Sequence, residues 1–219
     1  MSENTMTNPM TNTETPTTTD HIPDTAGWPV TGDDGRARPP WAATDPLLRD
    51  YYDTEWGNPV RDERGMFERV CLEGFQVGLS WRLILQKREA FRDAFAGFDP
   101  EAVAEMSIEH LLDDETLIRN RRKLQAVVTN ARATLALRDE GTHLGEFIWS
   151  YQPDTTPAPH TMAEVPTRSA ESEQLAKDLK KRGFTFVGPV TMYALMESTG
   201  IVDTNLVGTW KRGSSGVWA

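Results

Sequence analysis

FDPEAVAEMSIEHLLDDETLIRNRRKLQAVVTNARATLALR, residues 98–138, reads as a helix, a tight hairpin and a second helix. Asp99 is a good N-cap, Pro100 suits the first helical position with its fixed φ and missing N–H, and Glu101 favours the positive end of the helix dipole. The helix begun there is expected to reach about Leu112. Leu124, Val127, Val128, Ala131 and Leu135 recur at helical spacing and mark the inner face of a longer helix, from about Arg122 to Arg138. Between them lies Leu117-Ile118-Arg119-Asn120-Arg121-Arg122-Lys123, which crowds four basic side chains into the turn.

Upstream stands CLEGFQVGLSW, residues 71–81. Phe67, Val70, Cys71, Gly74 and Val77 keep helical spacing, with Glu73 at the margin of that stripe. Trp81 follows Glu73 across a Gly78-Leu79-Ser80 turn. A carboxylate and an indole so placed can hold a flat, electron-poor ring, the one accepting from its edge and the other covering its plane; a damaged nucleobase fits that description. Downstream, Pro153, Pro157, Pro159 and Pro166 make residues 152–166 a loop. A helix from about Ser169 to Arg182 is closed by Gly183, residues 184–187 form a short extended link, and a last helix runs from Pro189 to Ser198. No period-2 strand pair is evident, so the class is all-α.

A chain of 219 residues with 38% hydrophobic content supports one domain with a full core. Residues 1–35 are rich in Thr, Asn, Asp and Pro and are expected to be a disordered tail, leaving residues 36–219 as the domain. No apolar run reaches the length of a membrane span, and no basic segment precedes an apolar one at the N-terminus, so the expected location is cytoplasmic. A single cysteine, Cys71, excludes an intramolecular disulfide and any multi-cysteine metal site. The net charge of -10 opposes a phosphate-bearing partner. That sum is misleading, because Glu3, Glu14, Asp20, Asp24, Asp33 and Asp34 fall in the first 35 residues, where there is no Lys or Arg.

Four blocks in order, DPLLRDYYDTEWGNP (45–59), CLEGFQVGLSW, IRNRRKLQAVVTNARA (118–133) and LKKRGFTFVG (179–188), give the chain its family resemblance. Over roughly Trp41 to Gly208 it resembles the type I 3-methyladenine DNA glycosylases of the helix-hairpin-helix base-excision superfamily. The resemblance implies a helix-hairpin-helix DNA glycosylase fold with its motif near residues 107–138. It also implies an enzyme that flips 3-methyladenine out of the duplex and hydrolyses its N-glycosidic bond. Methylation at N3 makes the purine cationic and a good leaving group, so selective capture is the harder task. No lysine stands out as a Schiff-base nucleophile, and lyase activity is not expected.

On this resemblance Glu73 is the catalytic, base-recognising carboxylate, Trp81 stacks on the base, Tyr51 adds a ring and a hydroxyl, and Trp41 and Trp56 complete the wall. Gly78 and Leu79 form the turn that enters the gap left by the flipped nucleotide. Arg119, Arg121, Arg122 and Lys123 meet the phosphates beside a monovalent cation at the hairpin, and Lys180, Lys181 and Arg182 offer a second contact. The expected partner is double-stranded DNA containing alkylated bases, bound by a monomer, with no membrane. No Asp occurs from Leu117 through Leu137, so Glu73 is assigned to recognition and electrostatics rather than to activating water. The same residues would serve a sensor that binds alkylated bases without cleaving them, or a glycosylase whose lesion range is altered by Leu48 and Phe75.

The chain departs from its relatives at the zinc that many of them bind through two Cys and two His. Pro39, Tyr52, Asn205 and Thr209 occupy those positions and none suits zinc. No metal is expected there, and Tyr52 and Asn205 could hydrogen-bond across the site instead. His21, His110, His143 and His160 lie elsewhere, without ligand spacing. Arg122 stands at the expected hairpin tip, where some relatives have Gly.

Overall fold

The structure, a computed structural model, describes residues 27–218. Strands β1 (Val30–Thr31) and β2 (Ala37–Arg38) lead into helices α1 (Pro40–Ala43), α2 (Pro46–Thr54), α3 (Glu63–Gln76), α4 (Trp81–Ala94) and α5 (Pro100–Ala104). Helices α6 (Arg121–Asp139), α7 (Leu144–Trp149), α8 (Ala170–Lys181) and α9 (Pro189–Ser198) follow. The molecule is mostly helical, as expected, and the one strand pair among the described residues is the two-residue antiparallel ladder of Val30 with Arg38 and Thr31 with Ala37.

Helix α3 is the axis of the core. Asp62 caps it by accepting from the Gly65 N–H at 2.7 Å, and every residue from Met66 through Phe75 except Glu68 is buried. It touches α4, α6, α7 and α9, while α5 lies on α6 and α8 on α9. Burial on all sides makes it an interior helix rather than the one-faced helix its spacing suggests. Aromatic packing fills the space on one side of it: Phe75 stacks on Phe91 at 4.2 Å between centroids, and Phe95 on Phe98 at 5.9 Å.

Three expectations need correction. The polar tail was drawn to Gly35, but residues 27–35 already belong to the fold. Arg38, 2% exposed, forks between Asp34 at 2.6 Å and Asp53 of α2 at 2.6 Å, which fixes the β-turn to the helix. The remainder of the expected tail, residues 1–26, lies outside the described residues. Second, α5 stops at Ala104 rather than continuing to Leu112, because Arg132 of α6 takes its terminal carbonyl at 2.8 Å; a separate 3-10 turn covers Glu109–Leu112. Third, Arg122 is not at a hairpin tip. Asn120 caps α6 by accepting from the Lys123 N–H at 3.2 Å, so Arg122 falls in the first helical turn and needs no glycine-like backbone.

Gly200 holds the end of α9 against the segment after α2. Its φ is +75°, and a Cβ there would stand 2.6 Å from the carbonyl oxygen of Gly57, whose own N–H donates to Ser198 O at 3.0 Å. We expect Gly200→Ala to cost about 3 kcal/mol, since backbone strain and overpacking add. Urea unfolding of the variant beside the parent measures it, and equal stability would mean that the two backbones can separate freely.

Candidate active site

Glu73 sits in the last turn of α3 and Trp81 is the first residue of α4. Between them the chain reverses through Val77, Gly78 at φ +77° and Ser80, which caps α4 by accepting from Leu83 N at 3.3 Å. The reversal turns both side chains into one cavity of about 510 Å³. Trp41, Leu48, Tyr51 and Trp56 line one side, and Met162, Val165, Pro166, Val190 and Ala194 line the other. All five residues proposed for base binding and catalysis, Tyr51, Glu73, Trp81, Trp41 and Trp56, therefore meet. Leu48 is part of the wall, as expected. Phe75 is not, because it stacks in the core.

The aromatic walls are braced. Tyr51 and Trp81 lie 5.5 Å apart at 51°. Trp41 meets the edges of Tyr52 at 5.5 Å and Trp56 at 5.7 Å, and Tyr52 stacks on Trp56 at 5.7 Å. The Trp81 indole N–H is buried and has no hydrogen-bond partner among the described residues. A ligand acceptor would satisfy it.

Glu73 is 5% exposed and has no ion-pair partner among the described residues. Its one hydrogen bond among the described residues is a long one, from the Ser198 hydroxyl at 3.4 Å. Burial, together with the negative charge of Glu197, pushes its pKa up to about 8. Glu197, at the end of α9 and on the same cavity, is itself raised to about 7 by burial while accepting from Thr204 Oγ1 at 2.6 Å. The nearest cation, Arg69, is occupied: it donates to Glu55 at 2.7 Å and to the Tyr51 hydroxyl at 3.3 Å. The cavity thus holds an acidic proton near neutrality, with unused capacity to accept hydrogen bonds.

Glu197, Ser198 and Arg69 were not singled out from the sequence. A lone carboxylate closing the apolar run Val190 to Met196 is the same kind of signal that marked Glu73, and could have found Glu197.

The proposed DNA-facing residues divide. Gly78 is exposed and Leu79 half-buried against the core, at the tip of the α3–α4 turn. Val77, read as core, is 41% exposed there, beyond the helix end. Arg119, Arg121 and Arg122 are exposed on the hairpin and the first turn of α6; Arg121 pairs with Glu109 at 2.6 Å and Arg119 with Glu115 at 3.8 Å. Lys123 departs from the expectation. It is 8% exposed, and its ammonium donates to the carbonyls of Phe75 at 2.7 Å and Val77 at 2.5 Å. Those carbonyls end α3, so Lys123 ties the hairpin to the turn instead of presenting charge to solvent. Lys181 and Arg182 are engaged with Asp178 at 3.4 Å and Glu140 at 3.6 Å, and Lys180 is exposed.

At the four positions where zinc was considered, Tyr52 donates to Asn205 Oδ1 at 2.6 Å in a buried bond, as the sequence suggested. Asn205 is held in turn by Asp203 at 2.8 Å, and Thr209 donates to Leu206 O at 2.8 Å. Pro39 caps α1.

The chain belongs to the methyladenine glycosylase family, whose model matches residues 41–212. It is 45% identical over 175 residues to the DNA-3-methyladenine glycosylase of Haemophilus influenzae, covering 77% of this chain and 94% of that protein. A crystal structure of 3-methyladenine DNA glycosylase I superposes with a TM-score of 0.76 at 41% identity, covering 79% of this chain and 98% of that one. The enzyme of Staphylococcus aureus, solved to explain its recognition of 3-methyladenine, gives 0.74 at 34% identity, covering 78% and 93%.

Glu73 makes the site costly to the fold. Since its pKa is about 8 folded and near 4.5 unfolded, the native state holds a proton that the unfolded chain has lost between those values. Its contribution to stability therefore falls as pH rises through that window. Glu73→Gln should melt a few degrees higher than the parent at about pH 8.5, with the gap closing by about pH 4. Scanning calorimetry across pH tests this; a gap independent of pH would contradict it.

Proposed function

We propose that this protein excises 3-methyladenine from alkylated double-stranded DNA, flipping the nucleotide into the cavity and hydrolysing its N-glycosidic bond to leave an abasic site, without lyase activity. The observation that carries the proposal is a buried carboxyl without a cation, set beside a tilted Tyr51–Trp81 pair. A purine methylated at N3 brings the missing positive charge and N–H donors to its edge. Stacking on the indole supplies about 1–3 kcal/mol for the ring, and the carboxylate adds most for a charged one. Since the bond to a cationic purine is already weak, holding the base in a negative, water-poor slot while positive charge moves to the sugar is the main catalytic task.

Leu79, half-buried at the tip of the α3–α4 turn, would fill the vacated stack. Arg119, Arg121 and Arg122 face the backbone phosphates, with Arg122 the one that has no ion-pair partner among the described residues. No cluster of three or more His, Cys, Asp or Glu converges as a metal site among the described residues. A cation at the hairpin would then be held by backbone carbonyls, a donor set suited to a monovalent ion.

The deciding assay is release of free base from methylated DNA. The parent protein should liberate 3-methyladenine, and Glu73→Gln, folded and at least as stable, should lose about a hundredfold in rate, the scale of one lost transition-state contact. Binding without release by the parent would make it a sensor instead.

We also propose that hydrogen bonding takes the place of the zinc that the family resemblance implies for many relatives. A phenol, an amide, a hydroxyl and a proline do not make a zinc site. The buried Tyr52–Asn205–Asp203 chain joins α2 to the C-terminal segment in its stead. Elemental analysis of purified protein should find zinc far below one equivalent; a stoichiometric content would refute the replacement.

A further inference from the structure

The cavity carries two carboxyl groups from two different helices, and only one of them belongs to the CLEGFQVGLSW block. Glu73 comes from α3; Glu197 comes from the last turn of α9 and is followed at once by Ser198, whose hydroxyl reaches Glu73. That hydroxyl has one proton and also faces Leu195 O at 3.1 Å, so it cannot satisfy Glu73 fully. Glu197 is better served, by Thr204 Oγ1 at 2.6 Å.

The surrounding charges do not compensate the pair. From α2 come Tyr51 and Glu55, from α3 Arg69, and from α4 Arg82 and Arg88. Arg69 and Arg88 are both bound to Glu55, at 2.7 Å each, and Arg82 is bound to Asp45 at 2.5 Å. Tyr193 of α9 is near Glu197, and the segment of Met162, Val165, Pro166 and Thr167 contributes no titratable group to the lining. In the C-terminal segment Asp203 accepts from Asn205, while the Lys211 ammonium donates to Trp56 O at 2.6 Å and Asn58 Oδ1 at 3.0 Å. Two acids facing one cavity, with the local guanidinium groups spent elsewhere, cannot both ionise cheaply unless positive charge enters with the ligand.

We propose that Glu197 is a specificity-determining residue of this pocket, a second carboxyl that with Glu73 makes the cavity exchange a proton for a cationic purine. This rests on the reading of the protein as a 3-methyladenine glycosylase. Without a cation beside it the pair holds a proton. Entry of the cationic base drives that proton to solvent and leaves two carboxylates around one positive ring. When the C1′–N bond breaks, its electron pair passes to the purine and cancels the ring's charge, while water adds its oxygen to C1′ and gives up a proton. The pair, now facing a neutral base, takes up one proton again, and the attraction that held the base is gone. Capture and product release thus follow from the same balance, and a neutral purine never triggers the exchange.

The test is kcat/KM for 3-methyladenine release by the full chain from about pH 6 to about pH 9, which reports the groups of the free enzyme. In the parent it should rise through about pH 7 to 8, where the two acids titrate. E197Q removes the repulsion on Glu73, so its rise should move below that window, and its value at about pH 8.5 should fall about tenfold with the loss of one charged contact. T204V keeps both carboxyls but removes the donor that favours ionised Glu197, and should move the rise to higher pH. A parent profile retained in folded E197Q and T204V would overturn the proposal. If E197Q does not fold, T204V alone decides, by a shifted or an unshifted rise. A parent that releases no 3-methyladenine at any pH would instead overturn the functional reading, a result distinct from an active parent with indifferent variants.

Discussion

A carboxylic acid buried on the most enclosed helix, with no cation to meet it, is the constraint around which this molecule is arranged. Taking an ionised carboxylate out of water costs several kcal/mol unless a partner repays it. Arg69, one helical turn earlier on α3, is the cation that acts on Glu73, yet Glu55 holds Arg69 at 2.7 Å and is shared with Arg88, which also reaches Glu68 at 2.6 Å. Glu73 is left as the unsatisfied member of the group. Its free-energy deficit is local to the cavity and can be relieved only by something that enters.

The walls make that relief selective. Tyr51, Trp81, Trp41 and Trp56 surround the carboxyl with aromatic faces that are braced by contacts within the protein. Tyr52 is stacked on Trp56 and bonded to Asn205, and Lys211 donates to the Trp56 carbonyl at 2.6 Å. The C-terminal segment therefore clamps the aromatic cluster from behind. A site held this way need not reorganise when charge develops within it, and low local polarity strengthens each electrostatic contact.

Much of this was legible in the chain because the signals were local. Asp99-Pro100 started a helix, the recurrence of Leu124, Val127, Val128 and Ala131 described the buried face of another, and Pro153 to Pro166 broke the chain into a loop. Four of the five pocket residues, Tyr51, Trp56, Glu73 and Trp81, came from blocks whose order and spacing are distinctive, with Trp41 just ahead of the first block, and Tyr52 with Asn205 followed from reading what stood where ligands were absent. What escaped notice depends on contacts between distant segments. Lys123 looks like the end of a basic run, and only the position of α3 makes it a buried donor. Asp34 looks like one more acidic residue of a polar tail until Arg38 turns back to it. The end of α5 is set by an arginine on α6, and Glu197 reaches the pocket only because α9 packs beside α3. Composition and periodicity carry no record of such meetings.

Lys123 has a mechanical consequence. One ammonium group on the first turn of α6 is bonded to two carbonyls at the end of α3, directly behind the tip formed by Val77, Gly78 and Leu79. The basic hairpin and that tip are therefore parts of one stiff bracket whose spacing is held to within the length of a hydrogen bond. If the protein acts as proposed, a double helix seated on one arm would be brought into register with the other, so that choosing where to hold the backbone would also choose which nucleotide stands opposite the tip.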